Sequence, residues 1–231
     1  MRYELVCFDL DGTLVDTAAE IAEAANGALQ GHGIAARPPA EITALIGAGS
    51  RALMLKLLAR CLLERPALAQ RLDPEAVLAS FDRHYAIGSG SSAVPYHGCR
   101  EALAQLQGAG VRLACVTNKE LRHAQRVLQL TRLGGYFSLV LGGDSLPEKK
   151  PHASVLRHAA SVLGVGLDRV AHVGDSAIDV AAARNAGVAA WAVPYGYNGG
   201  VPIGEARPDR LFESLLQVAE HVLACRATAS A

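Results

Sequence analysis

The sequence predicts an α/β protein: a doubly wound, Rossmann-like parallel sheet core with an inserted helical cap domain. Three observations carry this. Short apolar, β-branched runs recur along the chain, helical patterns separate them, and one long interval after the first run contains helical patterns only. Strands alternating with helices imply a parallel sheet covered on both faces, and such strands read as near-continuous apolar runs.

The first run is Leu5–Leu10. From Asp16 to Tyr85 no strand pattern follows, and the segment reads as helices over Ala18–Gln30, Ala40–Ile46, Arg51–Leu63 and Pro74–Tyr85. Ile87–Val94 is a charge-free, Gly/Ser-rich link that returns the chain to the core. The core then alternates: helix Gly98–Gln107, strand Val111–Thr117, helix Glu120–Leu130, strand Phe137–Leu141, helix Ser154–Leu163, strand Val170–Val173, helix Ala177–Ala186 and strand Val188–Val193. Pro151 is expected in the first turn of its helix and Gly187 at a helix stop. Arg226–Ala231 is expected to fray. The core therefore comprises residues 1–15 and 93–231, and the helical cap with its hinge segments residues 16–92.

Composition narrows the function. The 231 residues carry 22 Lys+Arg and 22 Asp+Glu, a formal net charge of zero, and only 5% are aromatic. No nucleic-acid partner is expected, because such binding needs a basic face and often stacking platforms. No membrane partner is expected either: the longest charge-free stretch, Asn185–Gly204, is broken by Pro194 and Pro202. The short apolar run after Arg2 meets Asp9 and Asp11, unlike a signal peptide. Five scattered cysteines without a C-x-x-C pair read as reduced thiols, so a cytoplasmic location is expected.

The sharpest chemical signal is Cys7-Phe8-Asp9-Leu10-Asp11-Gly12-Thr13. Residues two apart on a strand point the same way, so the two carboxylates share one side of a strand's C-terminal end, where open parallel sheets bind ligands. Two acids ending an apolar run need compensation by a cation or donors; a hard divalent ion such as Mg²⁺ supplies it. The bland alternative is a turn starting at Gly12. An EF-hand reading fails because Leu14 stands where that loop needs Gly.

Three later strand ends add complementary groups. Thr117-Asn118 can cradle a phosphoryl oxygen with a hydroxyl and helix-start N–H groups, or can be an ordinary N-cap. Lys150, in Glu148-Lys149-Lys150-Pro151, can neutralise phosphate charge or belong to a solvated surface. Asp175 can complete a metal site, and Asp179, one turn on, can orient Lys150 or a metal-bound water; both can equally be helix-capping acids.

In this order and spacing, Asp9-x-Asp11-Gly12-Thr13, the strand-end Thr117, Lys150 before a proline and Gly174-Asp175-Ser176-x-x-Asp179 resemble the haloacid dehalogenase superfamily over nearly the whole chain. Within it the sequence is most similar to bacterial phosphoglycolate phosphatases, through Phe8–Thr17, Ile46-Gly47-Ala48-Gly49, Val116–Lys119, Gly142-Gly143-Asp144 and Gly196-Tyr197-Asn198-Gly199-Gly200. It departs at Ala153, where the family usually has a second proline.

The resemblance implies Mg²⁺-dependent phosphomonoester hydrolysis through an aspartyl-phosphate, with 2-phosphoglycolate as the expected small-molecule ester and a monomer or homodimer as the assembly. Asp9 would be the nucleophile. Asp11 would be the acid for the leaving group and then the base for water. Asp9, the main-chain carbonyl of Asp11 and Asp175 would hold the metal, with Asp179 and Ser176 supporting. Thr117, Asn118 and Lys150 would stabilise phosphoryl oxygens, and Thr13 would bind the substrate. The cap loop, through Gly47, Ser50 and Arg51, would meet the substrate carboxylate. A phosphatase or phosphomutase acting on a sugar phosphate or another small ester stays open, as does a silent binding module, although the intact acidic and basic set argues against the last. Lys56, His172 and the row Arg122, His123, Arg126 and Arg132 are read as structural: a solvated helix face, a strand histidine and a second solvated face.

Overall fold

The computed structural model describes residues 3–227. The fraying expected at Arg226–Ala231 lies, from residue 228 on, outside the described residues; the backbone of 226 and 227 closes the last helix.

Strand β1 (Leu5–Phe8) enters the middle of the sheet. It is shorter than the apolar run because Leu14 and Val15 both donate to the Leu10 carbonyl, at 3.0 Å, and turn the chain out of the sheet. A two-residue strand, β2 (Val15–Asp16), leads into α1 (Ala18–Gly31), α2 (Pro39–Thr43), α3 (Ser50–Glu64), a short 3₁₀ turn at Pro66–Gln70 and α4 (Pro74–Gly88). Pro74 opens α4, and the Asp73 carboxylate caps it by accepting from the N–H groups of Glu75 and Ala76. α4 runs on through Ile87 and Gly88, which were expected in the link. β3 (Val94–Pro95) then pairs antiparallel with β2, Val15 opposite Pro95 and Asp16 opposite Val94. The chain's exit from the core and its return are thus tied together by one ribbon.

The core continues with α5 (Cys99–Gly108), β4 (Arg112–Val116), α6 (Leu121–Leu130), β5 (Leu139–Leu141), α7 (Ser154–Val162), β6 (Val170–Gly174), α8 (Ala177–Ala186), β7 (Ala189–Ala192), β8 (Arg210–Leu211) and α9 (Leu215–Ala227). The sheet order is β5-β4-β1-β6-β7-β8 and every pairing is parallel. Pro151 precedes α7 instead of opening it, and Gly187 stops α8 with φ of +78°.

Strand alternation divides the core into two apolar layers. Val6, Phe8, Leu113, Cys115, Val173 and Trp191 face α5, α6 and α9. Leu5, Cys7, Ala114, Val116, Ala190 and Ala192 face α7 and α8. Both faces are buried, which is why the strands read as continuous apolar runs. The helices between the two ribbon strands carry a third, separate cluster, in which Ile21, Ala25 and Leu29 of α1 meet Val77, Phe81 and Tyr85 of α4.

Candidate active site

The parallel register aligns Cys7 with Ala114 and His172, so the chain segments leaving β1, β4 and β6 converge at one edge. Asp9 follows β1. Its Oδ1 accepts from the Leu10 N–H at 2.8 Å and lies 2.9 Å from the Lys150 ammonium. That ammonium also lies 2.7 Å from Asp179 Oδ1 and is almost fully buried. Asp179 in turn contacts His172 Nε2 at 3.0 Å and closes a capping box at the start of α8 with Ser176. Asp175 accepts from the Tyr197 N–H at 2.5 Å and from the Thr13 hydroxyl at 2.8 Å, so Thr13, expected on the substrate, is instead fully buried against Asp175 and lines no part of the cavity beside Asp9. Gly12, with φ of +83°, passes so close to Asp175 that an added Cβ would sit 2.3 Å from Oδ2, so this turn needs glycine for both its conformation and its clearance.

The electrostatics are asymmetric. Burial pushes the Asp9 carboxyl above its ordinary range despite the pull of Lys150. Burial, reinforced by the charges of Asp179 and Asp9, raises Asp175 much further. Asp179 is also buried, but Lys150 and His172 outweigh that and hold it well below the carboxylate range. Lys150 is buried too, and Asp179 and Asp9 more than offset this and keep its ammonium strongly protonated.

Asp9, Asp175 and Asp179 bring carboxylate oxygens within 4.8 Å of one another, an all-oxygen donor set. Lys150 touches two of the three, and the raised Asp9 and Asp175 mark the charge left uncompensated. A hard divalent cation fits that deficit. Each oxygen of Asp179 accepts two contacts, Lys150 and His172 on Oδ1 and the Ser176 N–H and hydroxyl on Oδ2, against one on each oxygen of Asp175, so Asp9 and Asp175 keep the lone pairs for a cation.

A cavity opens beside Asp9, between the sheet edge and the helical segment. Asp9, Asp11, Thr117, Asn118, Gly47 and Ser50 line it together with the apolar Ile21, Ile46, Leu53 and Phe81. Three bonds hold the Gly47–Ser50 loop against the core: Asn118 Nδ2 donates to the Gly47 carbonyl at 3.1 Å, Lys149 Nζ donates to the Ala48 carbonyl at 2.7 Å, and the Ser50 hydroxyl donates to Glu120. Asn118 also donates to the Lys150 carbonyl at 3.0 Å, while its buried Oδ1 has no partner among the described residues.

Arg51 is placed elsewhere than expected. It is exposed on α3 and forms a two-pronged ion pair with Glu75, away from the cavity. Lys56 is exposed and His172 is a buried strand residue, as anticipated. The row on α6 is not a free solvated face. Arg122 pairs with Asp82, His123 is buried against the Tyr85 ring, and Arg126 Nε donates to the Ser89 carbonyl at 2.9 Å. That face docks on the C-terminal end of α4.

Sequence reasoning missed Lys119, Tyr85, Glu20, Thr17 and Tyr197. Lys119 is buried, with Nζ 2.8 Å from Asp11 Oδ1. The Thr17 hydroxyl donates to the same Oδ1 at 2.7 Å. The Tyr197 hydroxyl accepts from the N–H groups of Thr17 and Ala18 and so satisfies the start of α1. Lys119 and Tyr197 stand inside segments whose motifs were visible; burial of a charge was the part without a signal.

Fold and site together are those of a phosphoric monoester hydrolase whose acidic groups gather at one sheet edge. The chain belongs to the haloacid dehalogenase-like hydrolase family, whose sequence profile matches residues 3–187. It is 43% identical over 212 residues, 91% of this chain and 89% of the other, to the plasmid-encoded phosphoglycolate phosphatase of Cupriavidus necator. It is 35% identical to the phosphoglycolate phosphatase of Psychrobacter arcticus, covering 96% of this chain and 97% of that one. Among solved structures, one described as a predicted phosphoglycolate phosphatase from Haemophilus somnus superposes with a TM-score of 0.88 at 30% identity, over 95% of this chain and 98% of that chain.

Proposed function

We propose that the chain is a Mg²⁺-dependent phosphatase that hydrolyses 2-phosphoglycolate to glycolate and phosphate through a phosphorylated Asp9. The observation that carries the reading is Asp9 itself: a buried carboxylate fixed by Lys150 and the Leu10 N–H, beside Asp175 and opening on a cavity with Asp11 on its wall. The similarity to phosphoglycolate phosphatases over nine-tenths of the chain supports the choice of ester.

Asp9 attacks phosphorus and the P–O bond to the leaving group breaks. The Asp11 carboxyl gives its proton to the departing alkoxide, then takes one from the water that cleaves the acyl phosphate. Thr117, the Asn118 N–H and Lys150 stabilise phosphoryl oxygens, while Asp179 and Ser176 keep Lys150 in place. Asp9, Asp175 and the main chain of Asp11 would hold Mg²⁺, which supplies the positive charge that lets a carboxylate approach a phosphate dianion. Residues 16–92 act as a cap that excludes competing water, and the Gly47–Ser50 loop, latched by Asn118, Lys149 and Glu120, is its contact with the substrate. No described helix is long and apolar enough to cross a membrane, and the buried thiols of Cys7, Cys61, Cys99 and Cys115 suit the reducing cytoplasm, where we place the enzyme.

Phosphate release from a panel of small esters, with and without Mg²⁺, tests the reading. The expected result is a preference for 2-phosphoglycolate over hexose phosphates that vanishes with chelator; a preference for hexose phosphates would overturn the substrate assignment. Removing Mg²⁺ should also lower the melting temperature of the wild type, since a ligand at 100 times its Kd stabilises by about 2.7 kcal/mol. Asp175→Asn should remove most of that shift. Arg51→Ala is expected to leave kcat and KM for 2-phosphoglycolate within about twofold, because its partner is the exposed Glu75. A tenfold rise in KM would place Arg51 on the substrate after all.

A further inference from the structure

One buried chain of polar groups runs from the cavity into the helical segment, and the chemistry above does not use it. Lys119 Nζ lies 2.8 Å from Asp11 Oδ1 and donates to the Tyr85 hydroxyl at 2.5 Å, with the ammonium 4.7 Å from the centre of the Tyr85 ring. The Tyr85 hydroxyl donates to Glu20 Oε1 at 3.1 Å. Glu20 is held by the Gly90 N–H at 3.0 and 2.9 Å. Lys119, Tyr85 and Glu20 are each at most 5% exposed. Lys119 leaves β4 in the core, whereas Glu20 is on α1, Tyr85 on α4 and Gly90 in the return link.

A buried ammonium is retained only where its partners offset desolvation, and a lysine stem has four rotatable bonds to be fixed. Asp11 and the Tyr85 face and hydroxyl do both. The consequence falls on Asp11. Lys119 and Thr17 both occupy Oδ1, so the carboxyl is pinned through one oxygen while Oδ2 is left for the cavity. Proton transfer rewards such pinning, because a misplacement of about 1 Å can cost roughly 100-fold in rate.

We propose that Lys119 is a positioning residue that orients the Asp11 carboxyl toward the leaving-group oxygen, and that Tyr85 and Glu20 of the helical segment aim Lys119. This rests on the phosphatase reading and assigns the set-up of its proton transfer. Lys119 does not touch the phosphorus and exchanges no proton. Asp11 Oδ2 gives its proton to the leaving oxygen as the P–O bond breaks and Asp9 forms its bond to phosphorus.

Two esters of nearly equal size separate this role from a structural one. Glycolate leaves 2-phosphoglycolate as an alkoxide and needs a proton; acetate leaves acetyl phosphate as a stable anion and needs none. Rates on both, with Mg²⁺, are to be compared for wild type, Lys119→Met, Tyr85→Phe and Asp11→Asn. Lys119→Met is expected to lower kcat/KM on 2-phosphoglycolate by roughly 100-fold. Its loss of kcat/KM on acetyl phosphate should be at least tenfold smaller, since kcat/KM reports the steps up to release of the leaving group and not the hydrolysis of the acyl phosphate common to both esters; Asp11→Asn should give the same pattern in stronger form. Tyr85→Phe keeps the ring and the fold and removes only the hydroxyl, so it should show the same selective loss at several-fold size. Equal losses of kcat/KM on both esters would overturn the proposal. Should Lys119→Met fail to fold, the Tyr85→Phe ratio decides alone. A wild type inactive on both esters would overturn the phosphatase reading and this inference with it, whereas an active wild type with a uniform loss of kcat/KM in the variants would overturn this inference only.

Discussion

Asp9→Asn is expected to abolish phosphate release from every ester while leaving the fold intact. The amide keeps the size and the carbonyl acceptor for the Leu10 N–H, so the turn that ends β1 loses nothing. What it loses is the attacking oxygen anion, and removal of a covalent nucleophile costs on the order of 10⁴-fold or more in kcat. Stability moves the other way. Asp9 stands within 4.8 Å of Asp175 and Asp179, and burial already holds its carboxyl above the normal range. Neutralising one of three crowded acids relieves repulsion, so the metal-free variant should melt no lower than wild type, while Mg²⁺ should raise its melting temperature less. Steady-state rates and melts with and without Mg²⁺ check both halves. Residual activity above about one per cent would sink the covalent route, and a variant several degrees less stable would sink the account of the acidic cluster.

Much of this arrangement was legible in the sequence because it is local. A strand end is marked by where an apolar run meets polar residues. Asp9, Thr117 and Asp175 stand at such places, and Lys150 and Asp179 follow a turn that motif spacing exposes. Parallel topology then brings all of them to one edge whatever the loops do. The illegible part is tertiary. Lys119 follows two residues whose meaning was plain, yet nothing local says that its ammonium is buried under Tyr85, 34 residues away in sequence. Glu20 sits on a helix face that is otherwise apolar, and only the fold supplies the Gly90 N–H that makes its burial tolerable. β8 has two residues, too few for any periodicity. α9 was not among the helices read from the sequence, although Leu215, Val218, Ala219 and Val222 fall at helical spacing and all are buried. Arg51 shows the opposite error. Its position beside the Gly47–Ser50 loop is right for a substrate contact, but α3 turns its side chain toward Glu75, a direction set by helix phase and not by nearness in sequence.

Lys150→Met is expected to destabilise the protein more than any other single change at the site. The ammonium lies between Asp9 and Asp179 at 2.9 and 2.7 Å and has 1% side-chain exposure. Methionine fills the same tunnel, so the loss is of charge and not of packing. Removing one partner of a buried pair costs about 3–5 kcal/mol because the other charge is left unpaired. Here two carboxylates are left, with His172 and Ser176 the remaining groups on Asp179 and the Leu10 N–H on Asp9. The double variant Lys150→Met/Asp179→Asn should regain much of the stability without regaining turnover, since the phosphoryl oxygens still lack their cation. The pH dependence has a definite sign. In the wild type Asp179 is depressed below its unfolded value, so its contribution is present above the unfolded carboxylate pKa of about 3.9 and disappears only as pH falls through the lower folded value. In Lys150→Met the Lys150 share of that depression is gone and only that of His172 is left, and the orphaned carboxylate is costly only while ionised. The gap between variant and wild type should therefore be widest near neutrality and narrow as pH falls toward 4. Urea melts of the three proteins across that range, without Mg²⁺, measure it. A gap that stays constant with pH would mean that lost packing, and not the unpaired acid, is what the substitution costs.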